Sequence, residues 1–112
     1  MRAGEFIGNL QDSGLPASQV LKYINSIHHK FKDSSYILSF PKWELTTVPL
    51  SMLMFDNDVN MAHVKTITKQ DIKNKPIVVD PAGAIIDGNH RTMAASLMGY
   101  ERIPAFVPIG TD

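Results

Sequence analysis

The sequence predicts a single α+β domain, with short strands in one layer and two longer helices packed against them. Three observations carry that expectation. Strand-forming runs such as IVVD at 77–80 and IPAFVP at 103–108 share the chain with two helical patterns, one amphipathic and one Ala-rich. Proline and glycine stand at the joints between these runs. The length of 112 residues suits one hydrophobic core, and no internal repeat, low-complexity tract or linker interrupts it.

Composition narrows the functional classes. A hydrophobic content of 44% with 20% charged residues is ordinary for a globular protein. Eleven Lys and Arg balance eleven Asp and Glu, so the formal net charge is zero. A protein that coats duplex DNA through non-specific phosphate contacts carries a basic excess, and this class is therefore disfavoured. The absence of cysteine removes disulfides, thiolate nucleophiles and cysteine metal sites. No iron–sulfur cluster or haem is expected. No apolar run reaches membrane-spanning length and no secretory leader is evident, so a cytoplasmic protein without a membrane partner is expected.

Along the chain, residues 1–14 are Gly-rich, weakly patterned and expected to be loose. Pro16 suits the first turn of a helix. Val20, Ile24, Ile27 and Phe31 recur at spacings of four, three and four, which predicts an amphipathic helix ending near Lys32, with 33–35 (DSS) as its exit. Residues 36–40 (YILSF) read as a short strand. Residues 43–53 (WELTTVPLSML) read as a second extended segment, interrupted at Pro49. Residues 55–60 (FDNDVN) are a turn-rich loop, in which Asp56 and Asp58 lack the further ligands of a calcium loop. Thr68 followed three residues later by Asp71 predicts a capping box that opens a short helix over 69–74. Residues 77–80 and 84–87 make a hairpin around Pro81, Ala82 and Gly83. A helix over 90–98 follows, closed by Gly99 in a left-handed conformation, with Met93, Leu97 and Met98 toward the core and Ala94 and Ala95 permitting close packing. The last strand is 103–108.

The densest polar chemistry lies in 84–100, AIIDGNHRTMAASLMGY. A strand stops at Asp87, turns through Gly88 and Asn89, and enters a helix with His90 and Arg91 in its first turn. The first turn of a helix carries N–H groups that the helix itself does not satisfy, at the positive end of its dipole. A guanidinium and an imidazole added there make a compact anion site, most simply one for phosphate. Two cation-capable residues are mildly unfavourable at that end unless an anion compensates them. A bland role stands beside each functional one: Gly88 as a positive-φ turn, Asn89 as a cap, and Arg91 as a salt-bridge partner of Asp87 or Asp80. His28 and His29 read as surface residues, and neither His63 nor Glu44 receives a role.

The pieces KPIVVD, AIIDGNHRTMAASLMGY and ERIPAFV, with TTVPLSML before them, resemble the ParB/sulfiredoxin-like superfamily over about residues 46–108. The resemblance implies a small mixed sheet with helices packed against it, and a stand-alone member of the phage or plasmid type. It also implies that Gly88, Asn89, His90, Arg91 and Thr92 bind phosphate, with Asp87, His90 and Arg91 as catalytic candidates. The activity implied is phosphodiester or phosphoryl-transfer chemistry, of the nuclease or NTPase kind, on a nucleotide or nucleic-acid phosphate. Mg²⁺ and ATP or another nucleotide are the cofactors it suggests. Asn89 stands where sulfiredoxins have cysteine, which excludes sulfinate reduction by their mechanism. The chain ends four residues after Pro108, so the helix-turn-helix of ParB proper, and with it chromosome segregation, is not expected. Two other readings are a serine-type small-molecule kinase and a non-enzymatic phage-type protein that inhibits a host enzyme.

Overall fold

The computed structural model describes residues 14–28, 31–54 and 59–110. It divides into two units, Met1–Glu44 with Pro108–Asp112, and Leu45–Val107. Across the described residues there are five strands and five helices. The fold class is α+β, as the sequence predicts.

In the first unit, β1 (Leu15–Pro16) pairs antiparallel with the start of β2 (Lys42–Pro49), Leu15 opposite Trp43. Pro16 is the N-cap of α1 (Ala17–Ile27), whose Val20 and Ile24 are buried as the periodicity requires. The helix stops a turn earlier than the stripe suggests. Asn25, Ser26 and His28 are weak helix formers, the Ser26 hydroxyl donates to the Tyr23 carbonyl, and His28 leaves helical geometry as the C-cap. Phe31 therefore lies beyond the helix.

The strand expected at 36–40 is instead a helix, α2 (Ser34–Leu38). The carbonyl of Asp33 accepts the N–H groups of Tyr36 and Ile37, and Tyr36 and Phe40 meet edge to face at 5.2 Å. The Asp-Ser-Ser run thus opens a helix rather than closing one. Trp43 is fully buried, with its indole N–H on the Phe40 carbonyl at 2.8 Å.

The second unit holds the mixed sheet. From β2 the strand order is β5 (Arg102–Pro108), β3 (Ile77–Val79) and β4 (Ile85–Asp87). β3 runs parallel to β5 and antiparallel to β4. All three residues of β3 are buried, as a continuous apolar run flanked on both sides implies. A 3-10 turn, Leu50–Met52, follows Pro49 and ends the extended segment expected to reach residue 53. Of the turn-rich loop, 55–58 lie outside the described residues, as do 1–13 of the expected loose N-terminus.

Three helices complete this unit. The sequence predicts no element where α3 (Met61–Val64) forms. α4 (Lys69–Asn74) opens on the expected capping box: the Thr68 hydroxyl accepts from Asp71 N–H at 3.1 Å, and the Asp71 carboxylate accepts from Thr68 N–H at 2.9 Å. α5 (Asn89–Leu97) ends at Gly99, with Tyr100 N–H on the Ala95 carbonyl and Gly99 N–H on the Ser96 carbonyl.

The core gathers Val64, Ile67, Ile72, Ile77, Val79, Ile103 and Ala105 around Ala94 and Ala95. The core face of α5 is consequently built from small residues, Thr92, Ala94 and Ala95. Leu97 and Met98, expected inside, are 64% and 38% exposed, because the last turn carries them off that face. Met93 is half-buried against the core.

Candidate functional site

The hairpin β3–β4 delivers Asp87 to the start of α5. At its far end Asp80 accepts the N–H groups of Ala82 and Ala84 on one carboxylate oxygen, both at 2.9 Å, which clasps the turn. Asp87, opposite Val78, is buried at the other end. Gly88 then turns the chain at φ 111° and serves as the N-cap of α5. A side chain there would run into Ile77, whose Cβ lies 2.8 Å from the position a Cβ would take. Glycine is thus required twice, by the dihedral angle and by the space.

Thr92 makes the first helical bond of α5, N–H to the Gly88 carbonyl at 2.9 Å. Its hydroxyl donates to the same carbonyl at 2.8 Å, and the side chain is fully buried. Thr92 therefore braces the turn from the core side. Ahead of it, the helix provides no acceptor of its own for the N–H groups of Asn89, His90 and Arg91.

Arg91 folds back on the strand it follows. Its Nη2 lies 3.2 Å from Asp87 Oδ2 and 3.4 Å from the Pro76 carbonyl. The two side chains of the pair are only 15% and 10% exposed, and Arg91 Nε is buried without a hydrogen bond. The guanidinium ties the end of β4 to the first turn of α5 and to the chain entering β3. It also neutralises the carboxylate beside the helix terminus.

His90 points to α3. Its Nε2 accepts the main-chain N–H of Asn60 at 3.1 Å, and its ring meets that of His63 edge to face at 4.7 Å. The Asn60 side chain meanwhile caps α3, accepting from Ala62 and His63 N–H. The structure thus brings Asp87, Gly88, Asn89, His90, Arg91 and Thr92 into one turn and adds Asn60 and His63. Asparagine three residues before His63 is a legible helix-start signal. Nothing in the sequence joins it to a residue thirty positions later.

Among the described residues, no three His, Cys, Asp or Glu side chains converge as a metal group. Asp87 Oδ2 is engaged by Arg91. No helix among the described residues is long and apolar enough to cross a membrane.

No family model matches the chain and no curated protein matches it. A solved structure of a Pnob8-like ParB-N domain is similar to it over 59% of this chain, with 16% identity and a TM-score of 0.47. The chain spans 29% of that protein's length.

Proposed function

We propose that the turn from Asp87 to Thr92 binds a phosphate group of a nucleotide or nucleic acid, and that the protein acts in phosphoryl-transfer or phosphodiester chemistry. The observation that carries this reading is the left-handed Gly88 opening α5 directly from the end of β4. A glycine at that point lets a ligand approach the backbone, and first-turn N–H groups and the helix dipole favour a bound anion. Arg91 removes the repulsion that the Asp87 carboxylate would otherwise exert on that anion. The resemblance of the DGNHR segment to the ParB/sulfiredoxin-like phosphate turn supports the same reading.

The roles divide accordingly. Gly88, Asn89 and His90 face the ligand, Asp87 and Arg91 hold the turn through each other, and Thr92 secures it from the core. Calorimetric titration with ATP, ADP, CTP and a short DNA duplex, each with Mg²⁺, tests the reading. Saturable binding of one ligand class that His90→Ala weakens tenfold or more is expected. Binding by none of them, or equal binding by the variant, overturns it.

A further inference from the structure

We infer that the main-chain N–H of Asn60 holds the imidazole of His90 as its neutral Nδ1–H tautomer, which makes Asn60 a positioning residue for the turn that opens α5. An amide N–H can only donate, so the ring nitrogen 3.1 Å from it presents a lone pair. The ring proton then sits on Nδ1, since the hydrogen bond at one imidazole nitrogen sets the proton at the other. Moving that proton to Nε2, or adding a second one there, would set two N–H groups against each other.

Two further features act in the same direction. The positive end of the α5 dipole disfavours an imidazolium in the first turn. The ring of His63, perpendicular to that of His90 at 4.7 Å, restricts its rotation. The side chain of Asn60 caps α3 at Ala62 and His63. Asn60 therefore faces two ways, with its oxygen on α3 and its N–H on α5.

The consequence is chemical. With Nε2 occupied by the Asn60 N–H, that nitrogen is not available as a base. That Asn60 positions a ligand-binding turn rests on the function proposed above, whereas the tautomer does not.

Long-range ¹H–¹⁵N correlation spectra of the full chain at pH 7.5 test it directly. For His90, a protonated-type Nδ1 shift and a lone-pair-type Nε2 shift are expected. Asn60→Ala keeps the N–H and loses only the cap, so the pattern should survive. Asn60→Pro deletes the N–H at a φ of −82°, close to the proline value of about −65°. In this variant the Nδ1–H signature should be lost in favour of the Nε2–H form that prevails in free imidazoles. A wild-type His90 that is doubly protonated or carries its proton on Nε2 overturns the inference, and this needs no variant to fold. An unchanged tautomer in Asn60→Pro overturns it as well. Titrating the wild-type sample with pyrophosphate separates the two claims, because absence of binding would overturn the phosphate reading alone.

Discussion

Replacing Gly88 with alanine should cost two separable amounts. The residue sits at φ 111°, and an L side chain forced into left-handed backbone costs about 1–2 kcal/mol. Its new Cβ would also lie 2.8 Å from Ile77 Cβ and still closer to Ile77 Cγ2. Ile77 is fully buried in β3, an interior strand paired on both sides, so it cannot swing away, and such overpacking costs typically 1–3 kcal/mol. Together the loss is about 2–5 kcal/mol, a large share of the stability of roughly 5–15 kcal/mol that ordinary domains have. Gly99 supplies the control. Its φ is 85°, but a Cβ there has nothing within 4 Å, so Gly99→Ala should show the backbone strain alone. Equilibrium unfolding in urea, with an unchanged m-value, reads both variants. If Gly88→Ala proves no more costly than Gly99→Ala, the close packing of the turn on Ile77 is wrong.

Asp87→Ala leaves the Arg91 guanidinium, only 15% exposed, without its carboxylate, and should cost about 3 kcal/mol in urea unfolding. The double variant Asp87→Ala/Arg91→Met should recover most of that loss, whereas equal losses would show that the pair does not act as a unit. The Asp71 carboxyl is held below its ordinary value of 3.8, first by the Thr68 main-chain N–H, then by the Thr68 hydroxyl and by Lys75. Because the unfolded chain takes up this proton more readily, the capping box contributes fully above about pH 3.8 and loses its contribution as the pH falls through the lowered folded value. The stability difference between wild type and Asp71→Asn, measured across pH, should therefore shrink below pH 3.8, and a difference that persists there would contradict this.

Legibility in the sequence followed the strength of local signals. The hairpin, the capping box at Thr68 and the glycine ending α5 could be read because each is set by a few adjacent residues with special chemistry. Residues 36–40 read as a strand because five apolar-rich positions suit either structure, and Asp33 and Ser34, which decide it, serve equally as the exit of a preceding helix. The stripe reaching Phe31 followed periodicity across residues with poor helix propensity. At the candidate site, the chain order of 87–92 was evident, and the Asp87–Arg91 pairing was open as one alternative at i, i+4 spacing. The approach of α3 was not, because the Asn60–His90 bond depends on tertiary packing that local pattern does not encode.

Phosphate binding at the turn between β4 and α5 is the function proposed above. Titrating ¹⁵N-labelled protein with pyrophosphate, and following every backbone amide, tests it most directly. Saturable shifts are expected, concentrated at Gly88 through Thr92 and extending to Asn60 and His63. Amides that do not respond, or shifts that saturate elsewhere and leave this turn unmoved, would contradict it.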